Sequence, residues 1–259
     1  MKVLVIGDSC KDVFFYGRCP RLAPEGPAPV FHKSSTHICD GMAKNVLRNF
    51  EALTPQADTS FFTQTEEISK VRYIEETTNH LLLRSDSDAK KSKRIEFEEL
   101  KKEVARGYDM IIVSDYDKGF LEVQDLEWIS KNHDLTIMDT KKILGPWAKH
   151  FSFIKINQEE YHRFRSASSL MFLEEKNRRW LKKSLIVTEG SQGCTYNFKR
   201  YHVEEVEIRD FAGAGDTFLA GFSSHYIQQR SVPDSLRFAN RCATQVVQKK
   251  GVVCVQRPV

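Results

Sequence analysis

The sequence lacks long hydrophobic runs, cysteine pairs and a strong net charge, and each absence excludes a class of protein. No stretch approaches 20 apolar residues, and the N-terminus leads directly into a short strand-like run, so we expect neither a membrane helix nor a signal peptide. The six cysteines include no Cys-x-x-Cys pair, which argues against zinc and disulfides and favours the reducing cytoplasm. A net charge of +4 is too small to indicate binding to nucleic acid.

What the sequence does contain predicts an α/β protein. With 41% hydrophobic and 29% charged residues, the chain can bury one substantial core, and we expect a single domain over residues 1–259. Short apolar runs alternate with longer amphipathic stretches, a pattern typical of a mostly parallel central sheet with helices on both faces. The predicted strands are residues 3–6, 110–113, 136–138, 153–156 and 185–188, and the predicted helices are 97–106, 121–131, 170–183, 213–228 and 233–249.

Two stretches interrupt this alternation. Residues 13–39, which have a proline-rich centre, and residues 71–84 are rich in aromatic and β-branched side chains and lack helical periodicity. We expect them to pair as a small antiparallel sheet, a flap that covers one edge of the main sheet. Such a flap would exclude water from a site beneath it. An ordinary edge hairpin would give the same pattern.

The most informative segment is DFAGAGDT, residues 210–217. Gly213 and Gly215 allow a tight turn with accessible N–H groups, and the apolar run at 217–226 has the spacing of a buried helix. The start of such a helix can bind a phosphoryl group, and Asp216 stands where it could take a proton from an attacking hydroxyl. The segment therefore indicates a phosphotransferase, although a glycine-rich loop capped by an aspartate is a common structural alternative.

Segments along nearly the whole chain resemble the ribokinase-like, or PfkB, carbohydrate kinases. The opening part looks most similar to D-glycero-beta-D-manno-heptose 7-phosphate kinases. The matching segments are DFAGAGDT at 210–217, GD at 7–8, Asp12, YG at 16–17, APEGPAPV at 23–30, LLRSD at 82–86 and SDYDKG at 114–119. The resemblance implies a three-layer α/β/α domain with a β-sheet flap.

The resemblance also implies roles for residues at the centre of the site. Asp216 would correspond to the general base, and the backbone of residues 212–215, including Ala214, would form an anion hole for the transferred phosphoryl group. Asp12, Gly41 and Asn45 would hold the hydroxyl groups of the sugar. Read alone, Asp12 would be a turn residue and Asn45 would lie on the polar face of a helix.

The remaining matches concern magnesium and ATP. Asn157 and Glu160 match an Asn-x-x-Glu element that the family uses to place Mg²⁺ and phosphate through water, but the same spacing is also a helix capping box. Thr188, Gly190 and Gly193 match the loop that holds the nucleotide, and Asn240 matches the element on its adenine side. Without the resemblance, these would be a glycine turn after a strand and a packed helix.

Several positions depart from the family pattern. Asp40 replaces a glycine, and its carboxylate would disfavour a phosphorylated acceptor if it pointed into the acceptor site. Phe211 and Ala212 replace threonines, which bears on a monovalent cation such as K⁺ that the resemblance implies near Asp210. The segment 54–70 is short, so we expect a compact form of the fold with a changed sheet edge. Many relatives form homodimers through the flap, and some carry a fused nucleotidyltransferase domain that we do not expect here.

The sequence thus predicts a kinase that uses ATP and Mg²⁺ to phosphorylate a sugar or sugar phosphate, such as heptose 7-phosphate. A kinase of an unphosphorylated sugar or of a nucleoside is one alternative. A sugar- or nucleotide-binding homologue without catalytic activity is another, although Asp216 and the two glycines argue against it. A dinucleotide-binding dehydrogenase is disfavoured, because the residues after Gly7 lack the glycine spacing that binds a pyrophosphate.

Overall fold

The computed structural model of the chain describes residues 1–87, 92–167 and 175–257. The strands in this part of the chain are β1 Lys2–Gly7, β2 Ser9–Leu22, β3 Pro29–Met42, β4 Asp58–Phe62, β5 Ser69–Glu75, β6 Leu81–Asp86, β7 Met110–Asp115, β8 Thr136–Thr140, β9 Phe153–Asn157, β10 Leu185–Thr188, β11 Cys194–Tyr196 and β12 Lys199–Tyr201. The α-helices are α1 Ala43–Leu53, α2 Phe97–Val104, α3 Val123–Lys131, α4 Gln158–Ala167, α5 Glu175–Ser184, α6 Ala214–Gln229 and α7 Val232–Val247. The first part of the helix predicted at 170–183 lies outside the described residues.

The central sheet has eight strands in the order β12-β11-β10-β9-β8-β7-β1-β4. Strands β4, β1, β7, β8, β9 and β10 are parallel, whereas the pairs β10–β11 and β11–β12 are antiparallel. Alternate residues of β1 pack into separate cores, because successive side chains of a strand point to opposite faces. Leu4 and Ile6 pack on the side of α2 and α3, whereas Val3 and Val5 pack on the side of α1 and α6. This is the three-layer, mostly parallel architecture that the sequence predicted.

Helix α6 begins at the glycine loop and lies deep in the second core. Residues 216–224 are all buried, as expected for a helix whose sequence is apolar around most of its circumference. It packs between α1 and α7, with Phe222 in edge-on contact with Phe153 of the sheet. The buried, packed position of α6 fixes where the loop before it lies.

The flap is a second sheet of four strands in the order β3-β2-β5-β6, formed by both segments that were predicted to build it. The predicted antiparallel arrangement was only partly right, because β2 pairs with β5 in parallel and the sheet is mixed. Strands β2 and β3 also extend beyond residues 13–39, so they connect directly to the central sheet and to α1. The inner face of the flap packs on the main body through Phe14, which is fully buried beside Val252.

The short segment 54–70 contributes the edge strand β4, which pairs in parallel with β1. It therefore retains an edge strand even though the segment is short. No helix in the described part of the chain is long and apolar enough to cross a membrane.

Candidate functional site

A cavity of about 540 Å³ opens at the carboxyl ends of β7 to β10, beside the start of α6. This is the edge at which open parallel sheets usually bind ligands. Most of the residues predicted to bind phosphate and nucleotide line it together. They are Asn157, Thr188, Gly190, Gly193, Gly213, Ala214, Gly215 and Asn240.

The bend at Gly213 is a position that only glycine fits well. Its φ is +79°, in the left-handed region, and a Cβ there would lie 2.8 Å from Asn45 Nδ2. The Ala214 N–H donates to the carbonyl of Phe211, whereas the N–H groups of Gly213 and Gly215 have no acceptor among the described residues. Those two donors, at the positive end of α6, are therefore available to an anion.

Asp216 is buried next to these donors, with 3% of its surface exposed. Its Oδ2 accepts a hydrogen bond from Asn45 Nδ2 at 3.0 Å, and its Oδ1 accepts one from the Tyr116 hydroxyl at 2.7 Å. Burial raises its pKa to about 6, because the charged form loses solvation, and the two hydrogen bonds counteract this rise. A carboxylate with such a pKa is ionised at neutral pH and basic enough to accept a proton.

A chain of amides holds Asn45 in place. Its Oδ1 accepts a hydrogen bond from Asn49 Nδ2, and Asn49 Oδ1 accepts one from the backbone N–H of Val255. The Asn45 amide must therefore present its Nδ2 toward Asp216. Sequence reasoning placed Asn45 at the sugar, and the structure places it against the carboxylate that would act on that sugar.

The other predicted sugar-binding residues lie on the inner face of the flap. Asp12 is buried, and its Oδ1 forms an ion pair with Arg72 of β5. A Cβ at Gly41 would lie 2.1 Å from Asp12 Oδ2, so glycine makes the room that this carboxylate occupies. Cys10, which is 3.7 Å from Asp12 Oδ2, packs in the same small cluster as Tyr116. The flap therefore reaches the surroundings of Asp216.

Asp40 lies on the opposite face of the flap from Gly41 and Asp12. In the β2–β3 pairing it stands opposite Lys11, whereas Asp12 stands opposite Cys39. Its carboxylate pairs with Lys11 at 2.6 Å and with Arg48 at 3.8 Å. Partial burial opposes ionisation of Asp40, but the hydrogen bond from Lys11 and the charges of Lys11, Lys44 and Arg48 together lower its pKa. The carboxylate of Asp40 therefore does not point toward Asp12 and Gly41, as it would have to do to disfavour a phosphorylated acceptor.

The residues predicted to bind the nucleotide lie where the backbone and apolar side chains shape the cavity wall. Gly193 has φ +88°, and a Cβ there would lie 2.1 Å from the carbonyl oxygen of Tyr201. Asn240 Nδ2 donates to that same carbonyl at 2.7 Å, so it ties α7 to β12 at the wall of the cavity. Apolar side chains complete the wall, as suits a flat ring system. They are Val203, Val206, Ile208, Phe218, Ala243 and Val247.

Asn157 and Glu160 form the capping box that their spacing predicted. The N–H and side-chain amide of Asn157 donate to the Glu160 carboxylate, and the Glu160 N–H donates to Asn157 Oδ1. Lys141, on the cavity wall, forms an ion pair with the same carboxylate. Although burial opposes it, the carboxylates of Asp139 and Glu160 raise the pKa of Lys141.

Asp210 braces the glycine loop. Its Oδ1 accepts a hydrogen bond from the N–H of Ala212 and its Oδ2 accepts one from the N–H of Gly251, each at 2.9 Å. Within the described ranges, no group of three or more His, Cys, Asp and Glu side chains is placed to hold a metal ion.

A buried ion pair that was not predicted from the sequence lies beneath the loop. Lys155 Nζ lies 2.7 Å from Asp139 Oδ2, and both side chains are at most 4% exposed. The same ammonium lies 2.9 Å from the position that a Cβ of Gly215 would take. A positive charge therefore lies next to the loop that is predicted to bind the phosphoryl group. The available signal was a lysine and an aspartate within otherwise apolar strands that end at one edge of the sheet.

Comparisons with known proteins agree with this geometry. The sequence pattern of the family described as pfkB family carbohydrate kinase matches residues 55–256. The Bifunctional protein HldE of Nitratiruptor sp. is 27% identical over 290 residues, which cover 96% of this chain and 62% of that protein. The D-beta-D-heptose 7-phosphate kinase of Bordetella bronchiseptica is 26% identical over 296 residues, which cover 98% of this chain and 93% of that one. The chain thus spans 60% to 62% of the length of bifunctional relatives from four bacteria.

Solved structures show the same fold. Ribokinase from Thermotoga maritima superposes with a TM-score of 0.70 at 13% identity, covering 96% of this chain and 94% of that one. Phosphofructokinase-2 from Escherichia coli, crystallised in complex with potassium, superposes with a TM-score of 0.73 at 14% identity, covering 99% and 95%. At these identities the likeness establishes the ribokinase-like fold and nothing finer.

Proposed function

Because the chain belongs to the pfkB family of carbohydrate kinases, we propose that it transfers the γ-phosphoryl group of ATP to a hydroxyl group of a sugar or sugar phosphate. The observation that carries this proposal is the buried carboxylate of Asp216, held by Asn45 and Tyr116 at the end of the cavity. There the N–H groups of Gly213 and Gly215 have no acceptor in the described part of the chain. The cavity provides room for the nucleotide on one side of this point, and the flap covers the other side.

The residues support an in-line transfer. The acceptor oxygen would form a bond to the γ-phosphorus while the bond from that phosphorus to the bridging oxygen of ADP breaks. The acceptor proton would pass to Asp216, and the amides of Gly213 and Gly215 would stabilise the charge on the transferred group. Lys155, buried against Gly215, would add a positive charge at the same place.

Mg²⁺ would be the cofactor of this reaction. Asn157 on the cavity wall, together with Glu160, offers oxygen atoms that suit a hydrated hard cation. When bound, the ion would neutralise part of the phosphate charge. A monovalent cation such as K⁺ would lie near Asp210, whose carboxylate oxygens each keep lone pairs beyond the one N–H that they accept.

For the acceptor we propose a sugar phosphate such as heptose 7-phosphate, the substrate named for the Bordetella relative. Arg72 supports this choice, because its guanidinium lies on the inner face of the flap beside Asp12. The outward position of Asp40 removes the charge that would have opposed an anionic acceptor. With an unphosphorylated sugar or a nucleoside as the acceptor, Arg72 would form its ion pair with Asp12 but would contact no phosphate group of the acceptor.

The test is a panel of acceptors with ATP and Mg²⁺, in which ADP formation is measured with heptose 7-phosphate, fructose, ribose and adenosine. We expect turnover with heptose 7-phosphate and little with the others. Turnover with ribose or adenosine instead would replace the proposed acceptor class. Ligand binding without ADP formation, for every acceptor, would indicate a binding protein and contradict the kinase proposal.

We further propose that residues 1–259 act as one kinase domain in the cytoplasm and that two copies pair through their flaps. The six cysteines are free, which suits a reducing compartment. The outer face of the flap exposes Ile38 and Leu83, each to 58%. Pairing of two flaps would bury such apolar surface. Light scattering on the wild type and on Leu83→Lys tests this, and a monomeric wild type would contradict it.

A further inference from the structure

Asp216 receives its two hydrogen bonds from different parts of the chain, and the one from Tyr116 has no assigned role. Asn45 belongs to α1, directly after the flap strand β3, and its amide is fixed by Asn49. Tyr116 belongs to the loop after β7 and lines the cavity with its side chain. Its hydroxyl donates to Oδ1 of Asp216 at 2.7 Å.

Hydrogen bonds to its backbone hold Tyr116 in position. The N–H groups of Tyr116 and Lys118 both donate to Oδ2 of Asp8, at 2.8 and 3.2 Å. Gly7 permits this arrangement, because a Cβ there would lie 1.9 Å from the carbonyl oxygen of Ser114. The end of β1 therefore holds the loop that carries the tyrosine.

The ring of Tyr116 is braced by two cations. The ammonium of Lys70, from flap strand β5, lies 5.0 Å from the ring centroid, and that of Lys141 lies 5.1 Å from it. Ammonium groups at these distances are attracted to the aromatic ring. Burial and the neighbouring Asp216 carboxylate raise the pKa of the Tyr116 phenol well above its usual value. The hydroxyl therefore keeps its proton and can only donate to the ionised carboxylate.

On the premise of the proposed kinase function, we propose that Tyr116 is a positioning residue, whose hydroxyl orients the Asp216 carboxylate toward the acceptor and favours its ionised form. An ionised carboxylate has about four lone-pair sites, so Asn45 and Tyr116 use one on each oxygen and leave the others for the acceptor proton. Tyr116 itself neither gains nor loses a proton. The flap contributes through Lys70, which helps to hold the ring.

Other charged and titratable groups surround Asp216 and also influence its pKa. They are Asp139 on β8, Lys155 on β9, Lys141 after β8 and Cys10 on β2. Asp139 favours the protonated form of Asp216 and Lys155 favours the ionised form. Asp8, which binds the backbone of Tyr116, also has a pKa that burial raises to about 6. Because Tyr116→Phe changes none of these groups, a shift in the titration of Asp216 in that variant reports the loss of the hydroxyl.

The first test compares Tyr116→Phe with Tyr196→Phe. The Tyr196 hydroxyl also donates at 2.7 Å, to the carbonyl of Lys183, away from the cavity. We expect Tyr116→Phe to lower kcat about tenfold, to leave the KM for ATP unchanged, and to move the acidic limb of the kcat profile about one pH unit higher. The shift is upward because the lost hydrogen bond had favoured the ionised base. Tyr196→Phe should keep the wild-type profile, and an unmoved limb in Tyr116→Phe in an active enzyme would overturn the inference.

A second test does not depend on turnover, so it separates this inference from the proposed function. Denaturant unfolding of the wild type, Tyr116→Phe, Asp216→Asn and the double variant forms a mutant cycle, measured at pH 8 and pH 5. Since ionised Asp216 needs the hydroxyl most, we expect positions 116 and 216 to couple at pH 8 and to couple less at pH 5. Additive effects at both pH values would overturn the inference even if no acceptor were ever found. An inactive wild type with clear coupling at pH 8 would instead overturn only the kinase proposal.

Discussion

The two sides of the site are built in different ways. The side proposed for the nucleotide, called the nucleotide side below, is an open cavity of about 540 Å³ whose shape comes from backbone turns and small or apolar side chains. The side proposed for the acceptor, called the acceptor side, is formed by paired polar groups, with Asp12 held by Arg72 and Asp216 held by Asn45 and Tyr116. We expect a wall that is shaped mainly by backbone turns to tolerate most substitutions, except those of its glycines. A network of buried polar groups fails when one member is removed, because its partner stays buried and unsatisfied.

The largest effect should follow from Asp216→Asn. The asparagine keeps the shape but cannot accept the acceptor proton, so we expect kcat to fall by roughly 10² to 10⁴-fold. The KM for ATP should stay within about twofold of wild type, since the nucleotide wall is unchanged. Steady-state kinetics measure both quantities. Near-normal turnover in this variant would show that Asp216 is not the base.

The same substitution should stabilise the protein in a pH-dependent way. The folded-state pKa of Asp216 is raised to about 6 from 3.8, so the folded state binds the proton more tightly than the unfolded chain. Ionisation therefore costs stability, a cost that is absent below about pH 4 and complete above pH 6. We expect Asp216→Asn to raise the free energy of unfolding by about 1–3 kcal/mol at pH 8 and by little at pH 4. Equal gains at both pH values would contradict the link to ionisation.

Lys155→Met should cost the most stability. It leaves Asp139 buried without its ion-pair partner, which typically destabilises a protein by about 3–5 kcal/mol. Lys131→Met is a suitable control, since Lys131 forms an exposed pair with Glu127 and its loss should cost about 0.5 kcal/mol. Replacing Asp139 by leucine in the Lys155→Met variant should recover much of the stability but not the turnover. Recovery of both would mean that the ammonium has no part in phosphoryl transfer.

Gly213→Ala tests whether the nucleotide side depends on backbone shape. The alanine would be strained at φ +79° and crowd the Asn45 amide, so we expect a loss of about 2 kcal/mol and a clear fall in kcat. Gly107 has φ +73° with open space around its Cβ position, so Gly107→Ala carries the strain without the crowding. It should cost about 1 kcal/mol and leave kcat unchanged. If the two variants had equal kcat values, the bend at Gly213 would have no special role in turnover.

The comparison also explains what could be predicted from the sequence. The nucleotide side has local signals, because Gly193 and Gly213 are required by turns in their own segments and the capping box of Asn157 and Glu160 spans four residues. The fold class followed from equally local alternation of apolar runs. Those predictions needed no knowledge of which distant segments meet.

On the acceptor side, Asp216 has a local signal, but the residues that hold it have none. Tyr116 and Asp216 are 100 residues apart, and nothing near either residue indicates that they meet. The bounds of helix α1 were also not predicted, although a helix was considered at Asn45, because α1 begins right after a strand at Met42, which has a positive φ and offers no side-chain cap. The parallel pairing of β2 with β5 was missed for the same reason, since parallel neighbours are joined by long connections.

Arg72→Ala should separate the two sides kinetically. We expect kcat/KM for a phosphorylated acceptor to fall about tenfold or more, because a charge-assisted contact is lost, while the KM for ATP is unchanged. Arg72→Lys keeps the charge and should recover part of the loss. Arg18→Ala, which removes an exposed arginine paired with Glu76 elsewhere on the flap, should have little effect. An equal loss with unphosphorylated acceptors would assign Arg72 to the support of Asp12 only.

The smallest effect should come from Asp40→Asn, although Asp40 is the position where the sequence departs most visibly from the family pattern. Its carboxylate lies on the outer face of the flap and is already paired with Lys11. Partly exposed pairs of this kind contribute about 0–1 kcal/mol, and the charge is directed away from the acceptor. We therefore expect kcat/KM for the acceptor to change by less than about twofold. A large rise in kcat/KM for phosphorylated acceptors alone would mean that Asp40 does act on the acceptor side. The functional distinction between the two faces of the flap would then be wrong.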